Sequence, residues 1–153
     1  MNHYIGVIGA GACPASTYEI SRKLGIEIGK QRWTLVCGGL GGVMEGAARG
    51  CAEAGGMTVG LLPGLDRRSA NPYMAVAIPT GLGDGRNLII VRSSDILVAV
   101  SGGYGTLSEI ALALKADKPV IGLETWNNIP GVHYAHDPHE AVELIRTLLT
   151  QSS

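Results

Sequence analysis

The 153-residue chain is sized for a single domain, residues 1–153, built on one hydrophobic core. Its 12 Lys and Arg against 13 Asp and Glu leave a net charge of -1 with no basic run, which excludes nucleic acid as the main partner. Charged residues reach only 16% against 46% apolar, under the roughly 25% typical of soluble domains, so the composition predicts a homodimer or homotetramer whose subunits cover one another's faces.

The chain opens on "MNHYIGVIGAG", which has neither a basic leader nor a long apolar segment, and no run of 18 apolar residues follows. The expectation is a cytoplasmic protein that makes no membrane contact. Tyr4–Ile8 reads as a buried strand ending at Gly9 and Gly11, and Ala15–Lys30 as a helix. Thr34–Cys37 is the second strand, followed by Gly38, Gly39, Gly41 and Gly42 and a helix over Val43–Ala54. Met57–Leu62 is the third strand, Pro63–Pro72 the one sizeable loop, and Ala75–Ile78 the fourth strand. Gly81, Gly83 and Gly85 then precede a helix over Gly85–Ser94. Ile96–Val100 is the fifth strand and runs into "SGGYGTLSE", Ser101 to Glu109, with a helix over Leu107–Ala116. Val120–Leu123 is the sixth strand. A last helix over His139–Leu149 is announced by Asp137 as N-cap, Pro138 at the first position and Glu140 three residues past the cap.

Strands this uniformly apolar are buried on both faces, the habit of a parallel sheet. Their alternation with helices predicts an α/β fold, a doubly wound and mainly parallel sheet with helices on both faces. In such a sheet ligands bind beyond the carboxyl ends of the strands. Four glycine-rich loops there would form a groove in which backbone N–H groups and helix N-termini face an anion, with phosphate the natural occupant.

Several familiar chemistries fail on the residues. The dinucleotide fingerprint would start at Gly9 and Gly11, but its third glycine position is Pro14 and the second strand lacks a ribose-binding acid, so NAD is not expected. Gly29-Lys30 is followed by Gln31, which rules out a P-loop, and no G-x-S-x-G elbow occurs. Pyridoxal phosphate needs a Schiff-base lysine, and Lys23, Lys30, Lys115 and Lys118 all lie away from the carboxyl edge. Cys13, Cys37 and Cys51 are odd in number without a C-x-x-C pair, which suits free thiols in a reducing compartment. His133, His136 and His139 cross a loop and a helix start and read as surface histidines, so no metal is expected.

Two residues stand out at the glycine edge. Arg86 opens a helix, where its charge opposes the dipole, and this placement asks for an anionic partner, a phosphate or Glu109. Thr106-Leu107-Ser108-Glu109 has the pattern of a capping box, worth about 0.5–2 kcal/mol. Beside a phosphate groove the same carboxylate could serve as general base or orient a hydroxyl. Met44 reads as core, while Tyr104 is open to packing or to covering a flat ring.

Taken together, "VCGGLGGVMEGAARGCAEAGG", "GLGDGRNLIIVRSSDILVAV" and "SGGYGTLSEIALALKADKPVIGL" resemble the family once labelled possible lysine decarboxylases. That family includes the LONELY GUY cytokinin-activating phosphoribohydrolases and the molybdenum cofactor carrier proteins, and the resemblance covers about residues 4–123. GGYGTLSE is similar to its P-G-G-x-G-T-x-x-E signature, with Arg86 as the upstream arginine and Glu109 as the signature glutamate. The resemblance implies a Rossmann-like fold and makes Arg86 and Glu109 the catalytic pair if the chain is a hydrolase. It implies ligand contacts at Gly9, Gly11, Gly38, Gly39, Gly41, Gly42, Arg86, Ser101, Gly102, Gly103, Tyr104, Gly105, Thr106 and Glu109. Ser101 stands where the signature has proline, and Asn87 where the hydrolases have lysine. The short length and the "VCGGLGGVMEGAARG" segment are closer to the carrier branch, which implies molybdenum cofactor, a pterin phosphate, as cargo. The alternatives are a nucleoside 5′-monophosphate phosphoribohydrolase and a nucleotide sensor.

Overall fold

The computed structural model describes residues 2–151. Among them seven strands form one sheet: β1 (Tyr4–Gly9), β2 (Thr34–Cys37), β3 (Met57–Leu62), β4 (Val76–Pro79), β5 (Ile96–Val100), β6 (Val120–Leu123) and β7 (Val132–Ala135). They lie in the order β4-β3-β2-β1-β5-β6-β7, and every pairing is parallel. The fold is therefore doubly wound α/β, and the sheet is wholly rather than mainly parallel. Strand order reverses at β1, which pairs with β2 on one side and with β5 on the other, Ile5 opposite Ile96 and Gly9 opposite Val100. That switch point opens a crevice at the carboxyl edge.

Side-chain alternation along the strands splits the core into two layers. Ile5, Val7, Ile96, Val98 and Val100 face α1 (Ala15–Lys30), α2 (Val43–Glu53) and α5 (Pro138–Gln151). Ile8, Leu97 and Ala99 face α3 (Arg86–Ser93) and α4 (Tyr104–Lys115) through Ile90, Val91, Ile110 and Ala113. No helix among the described residues is long and apolar enough to cross a membrane. Cys13, Cys37 and Cys51 are free.

Helices α1 and α2 touch backbone to backbone. Gly25 and Gly29 on α1 and Gly46 and Gly50 on α2 are each four residues apart, one turn on the same helix face. A Cβ on Gly25 would overlap the Ala47 carbonyl, one on Gly50 the Arg22 carbonyl, and one on Gly46 would lie 2.7 Å from the Tyr18 carbonyl oxygen. The rim of this contact is closed by Arg22, whose Nε and Nη2 donate to the two carboxylate oxygens of Glu53 at 2.9 and 2.6 Å.

The structure departs from the sequence at two places. β7 stands where the sequence shows only loop, because Val-His-Tyr-Ala at a sheet edge exposes its middle residues and so lacks an apolar run. Helix α4 starts at Tyr104 rather than Leu107, so Thr106 is inside it and is not a cap; Gly103 is the N-cap, without a side-chain hydrogen bond, and the capping box does not form. At α5 the expected start is found. The Glu140 N–H donates to Asp137 Oδ1 at 2.8 Å, although the Glu140 carboxylate accepts from the His136 N–H rather than from the cap residue.

Candidate functional site

A cavity of about 420 Å³ lies where β1 and β5 part. It is lined by Val7, Ile8, Gly9, Ala10 and Gly11 at the end of β1, Gly38 and Leu40 after β2, and Met44 on α2. Arg86 and Asn87 enter from α3, and Gly103, Gly105, Thr106 and Glu109 from the start of α4. The glycines serve different ends. Gly38 is space reserved for a guanidinium: its Cβ would sit 2.7 Å from Arg86 Nη2 and 2.7 Å from Met44 Sδ. Gly102, at φ +98, has the Thr106 side chain packed against it. A Cβ on Gly103 or Gly105 would meet nothing within 4 Å, so these two leave the first turn of α4 bare toward the cavity. Bare N–H groups at a helix start are a site for an anion.

Arg86 donates through Nη1 to Asn87 Oδ1, while its Nε is buried and has no hydrogen-bond partner. An unpaired buried donor on a cation costs folding free energy unless something else satisfies it. Glu109 faces it across the cavity wall and is only 6% exposed. Burial pushes its carboxyl up to about 7 from the ordinary 4.5, with the Arg86 charge pulling the other way but not prevailing. Beneath them the Cys37 thiol is pushed up to about 11 by burial and accepts from the Gly39 N–H at 3.4 Å, so it stays protonated and inert.

This shift fixes a pH dependence. Between pH 4.5 and about 7 the folded protein holds a proton on Glu109 that the unfolded chain has released. The contribution to stability is therefore complete below pH 4.5 and lost as pH rises through about 7. Glu109→Gln is expected to flatten the thermal-melting profile across that interval and to melt above the parent protein at about pH 8. Superimposable profiles of the two proteins would show that Glu109 is not held protonated.

Of the residues named from sequence, Gly9, Gly11, Gly38, Arg86, Gly103, Gly105, Thr106 and Glu109 line the cavity; Gly39, Gly41, Gly42, Ser101, Gly102 and Tyr104 do not. Gly39 and Gly42 adopt φ +77 and +62 and shape the loop after β2 from behind. The glycines after β4 stay out of the cavity, and that loop contributes through Arg86 and Asn87 instead. Ser101 sits at φ 54 with its carbonyl accepting from Thr125 Oγ1 at 2.7 Å. Proline is locked near φ −65°, so the signature residue could not take this backbone conformation. Val7, Ile8, Ala10 and Leu40 were missed as lining residues, and Met44 serves both the core and the cavity. Their apolar character gave no signal distinct from the core. His133 lies on β7, His136 pairs with Glu140, and His139 is on α5. Among the described residues no three His, Cys, Asp or Glu side chains gather as a metal site.

The chain is 46% identical over 138 residues to an uncharacterized protein of Archaeoglobus fulgidus, covering 90% of this chain and 91% of that one. It is 32% identical over 130 residues to the cytokinin riboside 5′-monophosphate phosphoribohydrolase of Mycobacterium tuberculosis, covering 77% of this chain and 68% of the relative. The molybdenum cofactor binding protein of Rippkaea orientalis superposes with a TM-score of 0.93 at 37% identity, covering 97% of this chain and 98% of that structure. The model of the SLOG cluster4 family matches residues 2–149, nearly the whole chain, and the chain therefore belongs to that family.

Proposed function

We propose that the protein binds and carries a phosphorylated heterocycle, with the molybdenum cofactor, a pterin phosphate, as its favoured cargo. The observation that carries this reading is Arg86, a guanidinium with a buried, unpartnered Nε beside the bare first turn of α4. A phosphate there would satisfy the arginine and the helix amides together. The apolar lining from Ile8, Leu40 and Met44 suits a flat ring behind it. The Rippkaea orientalis protein, which binds molybdenum cofactor, supports the choice of cargo. We place the protein in the cytoplasm as a homodimer or homotetramer. Val76 and Ile78 on the edge strand β4 and Leu82 just after it are 41, 44 and 55% exposed, apolar surface suited to burial between subunits.

A second reading, nucleoside 5′-monophosphate phosphoribohydrolase, is favoured by Glu109. A carboxyl near 7 is half ionised at neutral pH and can take a proton from water as the water adds to the ribose C1′ and the base departs. Against it, Asn87 replaces the hydrolases' lysine, and among the described residues Arg86 is the one cation lining the cavity.

Mass spectrometry of small molecules released from the purified protein, alongside incubation with AMP, tests the ranking. The expected result is a co-purifying phosphorylated pterin, alone or joined to a second ring, and no accumulation of free adenine. Adenine release that disappears in Glu109→Gln would overturn the carrier reading in favour of the hydrolase.

A further inference from the structure

We propose that Tyr104 and Trp126 form a stacking platform for a second planar ring, so that the complete ligand carries one heterocycle on each side of its phosphates. The proposal rests on the reading of the cavity as a phosphate site. Tyr104 lies between Gly103 and Gly105, both of which line the cavity, yet the residue itself is 82% exposed and outside it. A ring left that far in water adds nothing to the core. It is nevertheless held in place, with its centroid 5.6 Å from that of Trp126 at an interplanar angle of 35°.

Trp126 is itself fixed to the cavity rim. Its Nε1 donates to the Gly103 carbonyl at 3.0 Å, and its own carbonyl accepts from the Tyr134 hydroxyl, which in turn accepts from the Ile129 N–H at 3.1 Å. Thr125 Oγ1 donates to the Ser101 carbonyl at 2.7 Å. The segment after β6 is thus bolted to the loop that opens α4, and Trp126 is fixed before any ligand arrives, which lowers the entropic cost of stacking. Gly103 joins the two places: it borders the cavity, and its carbonyl anchors the indole. A phosphate on the first amides of α4 would therefore meet the cavity through Gly103 and Gly105 and lie on the same helical turn that carries the Tyr104 ring. The ligand class this arrangement takes is the cavity's phosphorylated heterocycle joined through a pyrophosphate to a second planar ring.

The test is calorimetric titration of AMP, with one ring, and diadenosine pyrophosphate, with two, into the parent protein, Tyr104→Phe and Tyr104→Ala, with the sedimentation coefficient of each. Diadenosine pyrophosphate is expected to bind about tenfold more tightly than AMP, from one added stacking contact. Tyr104→Phe keeps that margin; Tyr104→Ala removes it. Equal affinity of the two probes for the parent protein, or a margin that survives Tyr104→Ala, overturns the platform and leaves the phosphate reading standing. A changed sedimentation coefficient in Tyr104→Ala assigns the ring to a subunit contact and overturns it equally. Failure of both probes to bind overturns the platform together with the phosphate site.

Discussion

Gly50→Ala is expected to destabilise the protein by about 3 kcal/mol or more, the upper range for overpacking a closed interior. The added methyl would overlap the Arg22 carbonyl, which is backbone and cannot rotate aside, so α1 and α2 must separate along their whole contact. Gly25→Ala meets the Ala47 carbonyl and behaves alike. Gly64→Ala is the control, since its Cβ has no neighbour within 4 Å. Urea unfolding reads the difference. A Gly50→Ala midpoint within error of the Gly64→Ala midpoint would show that the helix pair parts freely.

Arg86→Ala should weaken binding of the phosphorylated ligand about 100-fold, the loss of one or two charge-assisted hydrogen bonds. The same change removes the charge that opposes burial at Glu109, so the carboxyl rises further and its titration moves to higher pH. Gly103→Val separates the cause from general damage. Its side chain enters space that is empty in the folded protein, so melting should change little while the first turn of α4 is screened from the ligand. Equilibrium titration of both variants with the ligand released from the parent protein is the measurement. Parent-like affinity in Arg86→Ala would remove phosphate recognition from this cavity.

Six of the seven strands and all five α-helices among the described residues were legible, because buried parallel strands are apolar along their length and the helices between them are long enough to show. The seventh strand carries His133 and Tyr134 on an exposed edge and resembles loop for that reason. The glycine edge and Arg86 were readable as an anion site from residue type and position. Glu109 was ambiguous: the spacing from Thr106 imitates a capping box, and only the true start of α4 at Tyr104 moves both residues into the helix and turns the carboxyl to the cavity. The helical glycines gave a signal four residues apart that went unread. A close approach of two helices is a tertiary fact, and either helix alone tolerates glycine at a cost of about 1 kcal/mol each.

The α1–α2 contact also makes the cavity mechanically lopsided. On that side the Val43 N–H donates to the Ala10 carbonyl at 3.0 Å and Gly42 lies against the backbone of Ala10 and Gly11, so the glycine loops are riveted to a pair of helices with no slack between them. On the other side α3 is only eight residues long, with Leu88 and Ile89 half-buried. One wall of the cavity is pinned by backbone contacts, and the other is a single short helix that carries Arg86 and is seated on the core through Ile90 and Val91.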